Sequence, residues 1–207
     1  MSSPGAYAER FLSETRELIS KLDPLAVTKA VDILEDAWKR GTTVFVAGNG
    51  GSASTATHFA CDLDKWACQD APKRLRAFSL VDNIPLVSAL TNDNGFAEVY
   101  TEQLENFWKS GDVFVGISVH GGSGRDRAGA WSQNLLRAAY YAKEHGGRVL
   151  ALVGFDGGAL HSLADASILV PADSTPQVEG IHLVITHLLA DELRRRITPP
   201  DKLGLRK

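Results

Sequence analysis

Thr42–Ala47 (TTVFVA) runs straight into Gly48-Asn49-Gly50-Gly51-Ser52, and a helical stretch at about 53–68 follows. A short apolar run with little alternation suits a strand buried on both faces, as in a parallel sheet covered by helices. Four more such runs follow, at Leu75–Leu80, Asp112–Ser118, Arg148–Gly154 and Ser167–Val170. Helical stretches at roughly 84–109, 132–145 and 176–197 separate or follow them. This alternation predicts an α/β three-layer sandwich with a mainly parallel five-stranded sheet. Two helices precede it. Phe11, Leu18 and Leu22 form one apolar stripe; after Asp23-Pro24, a cap with Pro at the first helical position, Ala26, Ala30, Ile33, Leu34 and Trp38 form another that ends at Gly41. With no repeat, linker or low-complexity tract, residues 1–207 read as one domain with a helical extension over about 1–41.

Composition narrows the function class. The chain is 44% hydrophobic and 23% charged with a net charge of -3, which advertises neither a nucleic-acid nor an anionic-membrane surface. Arg194, Arg195 and Arg196 read as the basic last turn of a helix. Cys61 and Cys68 lie seven apart on one expected helix, about 10 Å of rise, too far for a disulfide. Free thiols, no membrane-length apolar window and an N-terminus unlike a signal peptide together predict a cytoplasmic protein.

Two strand ends are candidate ligand loops. In open α/β sheets, ligands bind beyond the carboxyl ends of the strands. Gly48–Ser52 stands at one such end and heads a helix, where glycines allow close approach and free N–H groups face an anion. Ser118-Val119-His120-Gly121-Gly122-Ser123-Gly124 stands at another, with hydroxyls and glycine N–H groups suited to a phosphate or a polyol. Each loop alone is equally a tight strand-to-helix turn, and neither has a Walker or dinucleotide pattern.

Ala47–Leu63 (AGNGGSASTATHFACDL) closely resembles the phosphoheptose isomerases of the SIS (sugar isomerase) superfamily. Three later segments resemble that family in order: Ala89–Phe96 (ALTNDNGF), GDVFVGIS ending at Ser118, and Thr175–Leu189 with His182 and His187. The resemblance implies an aldose–ketose isomerase of sugar phosphates, usually sedoheptulose 7-phosphate, forming a homotetramer with active sites between subunits. It implies substrate contacts at Asn49, Gly50, Gly51, Ser52, Asn92, Asp93, Ser118, His120 and Ser123. It also implies one divalent metal, zinc above all, on His58, Asp62, Glu179 and His187.

The chain departs from the family in three respects. Asp62 replaces a Glu and Glu179 a Gln; His120 and Gly122 stand at the third and fifth places of its Ser-x-Ser-Gly-Asn-Ser loop. Gly124–Trp131 has no counterpart, so Ser132 competes with Ser123 for the last serine place. His58 and Asp62, at i and i+4, share a helix face, and Glu179 and His187 are eight apart. On spacing alone His58 and Asp62 read as a surface pair or cap; with the resemblance, their nitrogen and carboxylate donors suit zinc or a similar divalent metal. Isomerisation through an enediol needs a base and an acid, assigned to Asp62 or Glu179 and to His187. His182 is expected in a supporting or subunit-contact role, and Trp131 as a cover for ligand or a plain surface residue. The competing function is a non-catalytic protein of the same fold that binds sugar phosphate or associates with a replication initiator.

Overall fold

The computed structural model describes residues 5–122 and 131–203. Two helices open the chain, α1 (Ala6–Ser20) and α2 (Pro24–Arg40). Asp23 caps α2 by accepting the Leu25 N–H at 2.9 Å, and Gly41 ends it in the left-handed conformation. Then come β1 (Thr43–Gly48), α3 (Gly51–Cys61), β2 (Arg76–Ser79), α4 (Ile84–Asp93), α5 (Thr101–Phe107) and β3 (Val113–Ser118). The order finishes with α6 (Gln133–Glu144), β4 (Arg148–Gly154), α7 (Gly158–Leu163), β5 (Ala166–Val170) and α8 (Thr175–Ile197).

The five strands form one parallel sheet in the order β2-β1-β3-β4-β5. Every residue of β1 and β3 is buried, as their unalternating apolar sequence demands. Val44, Val46, Val115, Ile117, Leu150 and Leu152 pack on one face with α2, α3 and α8. Phe45, Ala47, Phe114, Val149 and Ala151 pack on the other with α5, α6 and α7. These are the three expected layers, with the N-terminal helices in place.

Local differences from the expected elements have physical causes. The helix expected over 84–109 is two, α4 and α5, parted near Gly95, whose φ of 91° no ordinary helical residue adopts. The one expected over 53–68 changes at Asp62 into a π-helical turn, Asp62–Trp66, closed by the Ala67 N–H donating to the Asp62 carbonyl at 2.8 Å. Such wide turns concentrate at functional sites. The short α7 was not anticipated. Cys61 and Cys68 are free, and among the described residues no helix is long and apolar enough to cross a membrane.

Candidate active site

The sheet order reverses between β1 and β3, so the chain leaves their paired carboxyl ends toward opposite faces of the sheet, α3 on one and α6 on the other, and opens a crevice. A cavity of about 280 Å³ lies there, lined by Asn49, Ser52, Ser118, His120, Trp131, Ser132, Thr175 and Glu179 among others. Both expected ligand loops therefore meet at one place.

Gly50, at φ 57° and ψ −125°, adopts a backbone conformation closed to residues with a side chain. Gly51 is needed for room: a Cβ there would lie 2.5 Å from Glu179 Oε1. The N–H groups of Ser52 and Ala53 turn back onto the Asn49 and Gly50 carbonyls, at 3.0 Å each. From the β3 side, the buried Ser118 accepts the Gly121 N–H at 3.1 Å, which folds its loop over the cavity. The His120 ring is held between Phe155 and Trp131, with centroids 4.2 and 4.9 Å away. Phe155 itself has a φ of 53°, an outlier for a bulky residue.

Asn49 does more than face the cavity. Its amide exchanges two hydrogen bonds with the Asn134 amide, at 3.0 and 2.9 Å, and donates to Ser132 Oγ at 3.4 Å. The Tyr100 hydroxyl donates to the Gly48 carbonyl at 2.5 Å and lies 3.2 Å from Asn49 Oδ1. Burial pushes the Tyr100 phenol far above its ordinary pKa, so it remains a neutral donor. Tyr100 and Asn134 carried no signal in the sequence, because their partners are 52 and 85 residues away.

A second group of side chains stands further along the same chain segments. His58 of α3, Asp62 at the start of the π-helical turn that continues it, and His187 of α8 bring ligand atoms within 4.8 Å of one another. His187 Nδ1 is 3.0 Å and His58 Nε2 is 3.4 Å from Asp62 Oδ2, and the two imidazoles stand perpendicular. Asp62 Oδ2 is nevertheless buried without a hydrogen-bond partner among the described residues. An orphaned carboxylate oxygen between two imidazole nitrogens fits a divalent cation, and two histidines with one carboxylate is a catalytic-zinc donor set. Glu179 is not in this group; its carboxylate lies over Gly51 at the cavity.

The structure thus gathers Asn49, Ser52, Ser118, His120 and Glu179 around the cavity and adds Thr175, Trp131 and Ser132. Asn92 and Asp93 stand apart, exposed at the end of α4, with the Asn92 amide donating to Asp93 at 2.7 Å. Ser123 and most of Gly124–Trp131 lie outside the described residues. His182 is fully buried in the core, so it is neither a surface nor a subunit-contact residue.

Residues 7–154 match the SIS domain. The chain is 36% identical over 178 residues to a phosphoheptose isomerase of Helicobacter hepaticus, covering 86% of this chain and 85% of that one. The chain belongs to the SIS-domain family, on its phosphoheptose isomerase branch. Lincomycin biosynthesis protein LmbN of Streptomyces lincolnensis is 42% identical to this chain over 191 residues, 90% of this chain and 68% of LmbN. The solved phosphoheptose isomerase of Francisella tularensis superimposes with a TM-score of 0.81 at 27% identity, covering 94% of this chain and all of that SIS protein.

Proposed function

We propose that the protein is an aldose–ketose isomerase that interconverts sedoheptulose 7-phosphate and the corresponding heptose 7-phosphate. The observation that carries this reading is the placement of two sites along one helix pair. The two-loop cavity lies at the head of α3 and α8, and the His58–Asp62–His187 group lies further along both. From Ser52 to His58 is six residues, about 9 Å of helix, so a phosphate held in the cavity leaves room for a sugar of several carbons before the reacting end reaches the group.

In this reading Ser52, Ser118, His120 and Ser132 receive the phosphate, with Gly50 and Gly51 giving their backbone N–H groups. Asp62 takes the proton from the carbon beside the carbonyl, and the same carboxyl returns it to the neighbouring carbon. With His187 Nδ1 turned to Asp62, its Nε2 is left to move a proton between the two substrate oxygens. Glu179, facing the cavity, accepts hydrogen bonds from substrate hydroxyls. His58, Asp62 and His187 would hold the metal, zinc by its donor preference; bound there, zinc would supply Lewis acidity toward the substrate oxygens.

A homotetramer belongs to the same reading, because Asn92 and Asp93 do not reach this chain's own cavity and α8 exposes Leu183, Val184 and Leu188 beside His187. So does a cytoplasmic setting, in keeping with two free thiols. The test is incubation of the zinc-loaded protein with a panel of ketose phosphates, reading aldose formation by NMR. Turnover fastest with the seven-carbon ketose supports the reading. Tight binding of the panel without turnover overturns it in favour of a sugar-phosphate-binding protein.

A further inference from the structure

The cavity rim comes from segments far apart in the chain, Asn49 after β1 and Ser132 at the head of α6. Gly48-Asn49-Gly50-Gly51 is a stretch with little intrinsic stiffness, and a ligand that had to order it would bind more weakly. The structure orders it in advance. The buried Asn134, its side-chain oxygen anchored by the Leu135 N–H at 2.9 Å, pairs with Asn49 through two amide hydrogen bonds. From beneath, the buried Tyr100 hydroxyl takes hold of the last carbonyl of β1 and touches the same Asn49 amide.

We propose that Tyr100 is a positioning residue for phosphate recognition: with Asn134 it clamps Asn49, and so sets the geometry in which the β1 loop and the head of α6 receive the phosphate together. The proposal rests on the isomerase reading only in taking the cavity as the phosphate site. Tyr100 touches no substrate in this scheme. Its ring packs in the core with Phe45, Leu104 and Phe114, and only the hydroxyl serves the clamp. Tyr100→Phe therefore removes the hydroxyl's half of the clamp and keeps the packing.

The test measures inorganic phosphate binding by calorimetry for the unaltered protein, Tyr100→Phe, Asn134→Ala and the double variant, with KM, kcat and zinc content alongside. Tyr100→Phe should weaken phosphate binding and raise KM about tenfold, with kcat within about twofold and zinc content unchanged. Because both residues act through Asn49, the double variant should bind phosphate no more weakly than the worse single variant. Tyr100→Phe that melts earlier yet binds phosphate as the parent does would overturn the proposal, as would fully additive losses. Phosphate binding is read without turnover, so a protein showing this coupling but isomerising no sugar overturns the isomerase reading and leaves the clamp standing. An unaltered protein that binds no phosphate overturns the clamp.

Discussion

His187 Nδ1 lies 3.0 Å from Asp62 Oδ2, an oxygen that His58 Nε2 also approaches to 3.4 Å and that has no hydrogen-bond partner among the described residues. Two imidazole nitrogens converging on a buried, unsatisfied carboxylate oxygen is a metal-site arrangement more than a surface ion pair. Zinc should therefore copurify when no chelator is used, as read by elemental analysis. His58→Ala and His187→Ala should each weaken zinc binding at least about 100-fold, since loss of a mere supporting partner already costs 10- to 100-fold. Acidification should release the metal, because its ligands must be unprotonated. Metal-free protein with full turnover that ignores added zinc would end this assignment.

Ser118 both lines the cavity and accepts the Gly121 N–H. Ser118→Ala should lower stability by about 1 kcal/mol through that lost bond and weaken phosphate binding several-fold. Ser132 lines the cavity too, and Ser132→Ala should weaken phosphate binding more than Ser123→Ala does. Urea midpoints and phosphate competition against the sugar substrate read both effects. The reverse order for the two serines would return the last phosphate contact to Ser123.

Much of this was legible in the sequence for a physical reason: Val44–Ala47 and Val113–Ile117 have no polar residue on either alternating face, which suits a strand covered on both sides. The glycines after the first of these runs are a local feature, so the loop could be placed; the i, i+4 spacing sets His58 and Asp62 on one face, and only the resemblance makes them metal ligands. What could not be read is long-range. Neither the Tyr100–Gly48 bond nor the Asn49–Asn134 pair has any local pattern. The site of Glu179 is also tertiary: the resemblance implies a place for it among the metal ligands, but about 12 Å of helix rise from His187 sets its carboxylate at the cavity. The π turn at Asp62 escapes for the same reason, since an apolar-periodic segment reads as plain α-helix.

His182 sits in the core with no well-aligned hydrogen-bond partner for either ring nitrogen. Desolvation lowers its pKa to about 4, with the nearby Val153 backbone opposing in part. Between the ordinary histidine range near 6.5 and pH 4, the unfolded chain takes up this proton and the folded chain does not. Stability from this group is therefore complete above about pH 6.5 and falls as the pH drops, by up to about 3 kcal/mol. His182→Leu should flatten that limb of the stability curve, measured as urea midpoints from pH 4 to 7. A variant whose midpoints fall as steeply as the parent's would show that His182 is not the group responsible.

The outer faces of α1 and α8 leave Leu12, Ile19, Leu183, Val184 and Leu188 exposed, and an apolar groove lined by Ile19, Leu22, Val27, Val184 and Leu188 runs between α1, α2 and α8. Single exposed leucines are ordinary, but a continuous groove of this kind marks an interaction surface. Light scattering should give about four times the 22.3 kDa chain mass, and Val184→Glu should shift it toward the monomer with loss of turnover. A parent that scatters as a monomer and still turns over substrate would count against shared active sites.

Glu179 places a carboxylate over Gly51, at the head of α3, within the cavity assigned to a phosphate. Two anions do not share such a site without cost, and the helix terminus that favours one also favours the other. Glu179→Gln keeps the shape and removes the competing charge. Phosphate should then bind several-fold more tightly, while stability falls by a few tenths of a kcal/mol as the head of α3 loses its resident anion. Zinc content should stay at the parent level, because the ligand atoms that converge belong to His58, Asp62 and His187. Calorimetry with inorganic phosphate and elemental analysis of the same preparation separate the two roles. Zinc loss in Glu179→Gln would make the carboxylate a fourth ligand, and weaker phosphate binding would mean that it supports the anion site rather than competing with it.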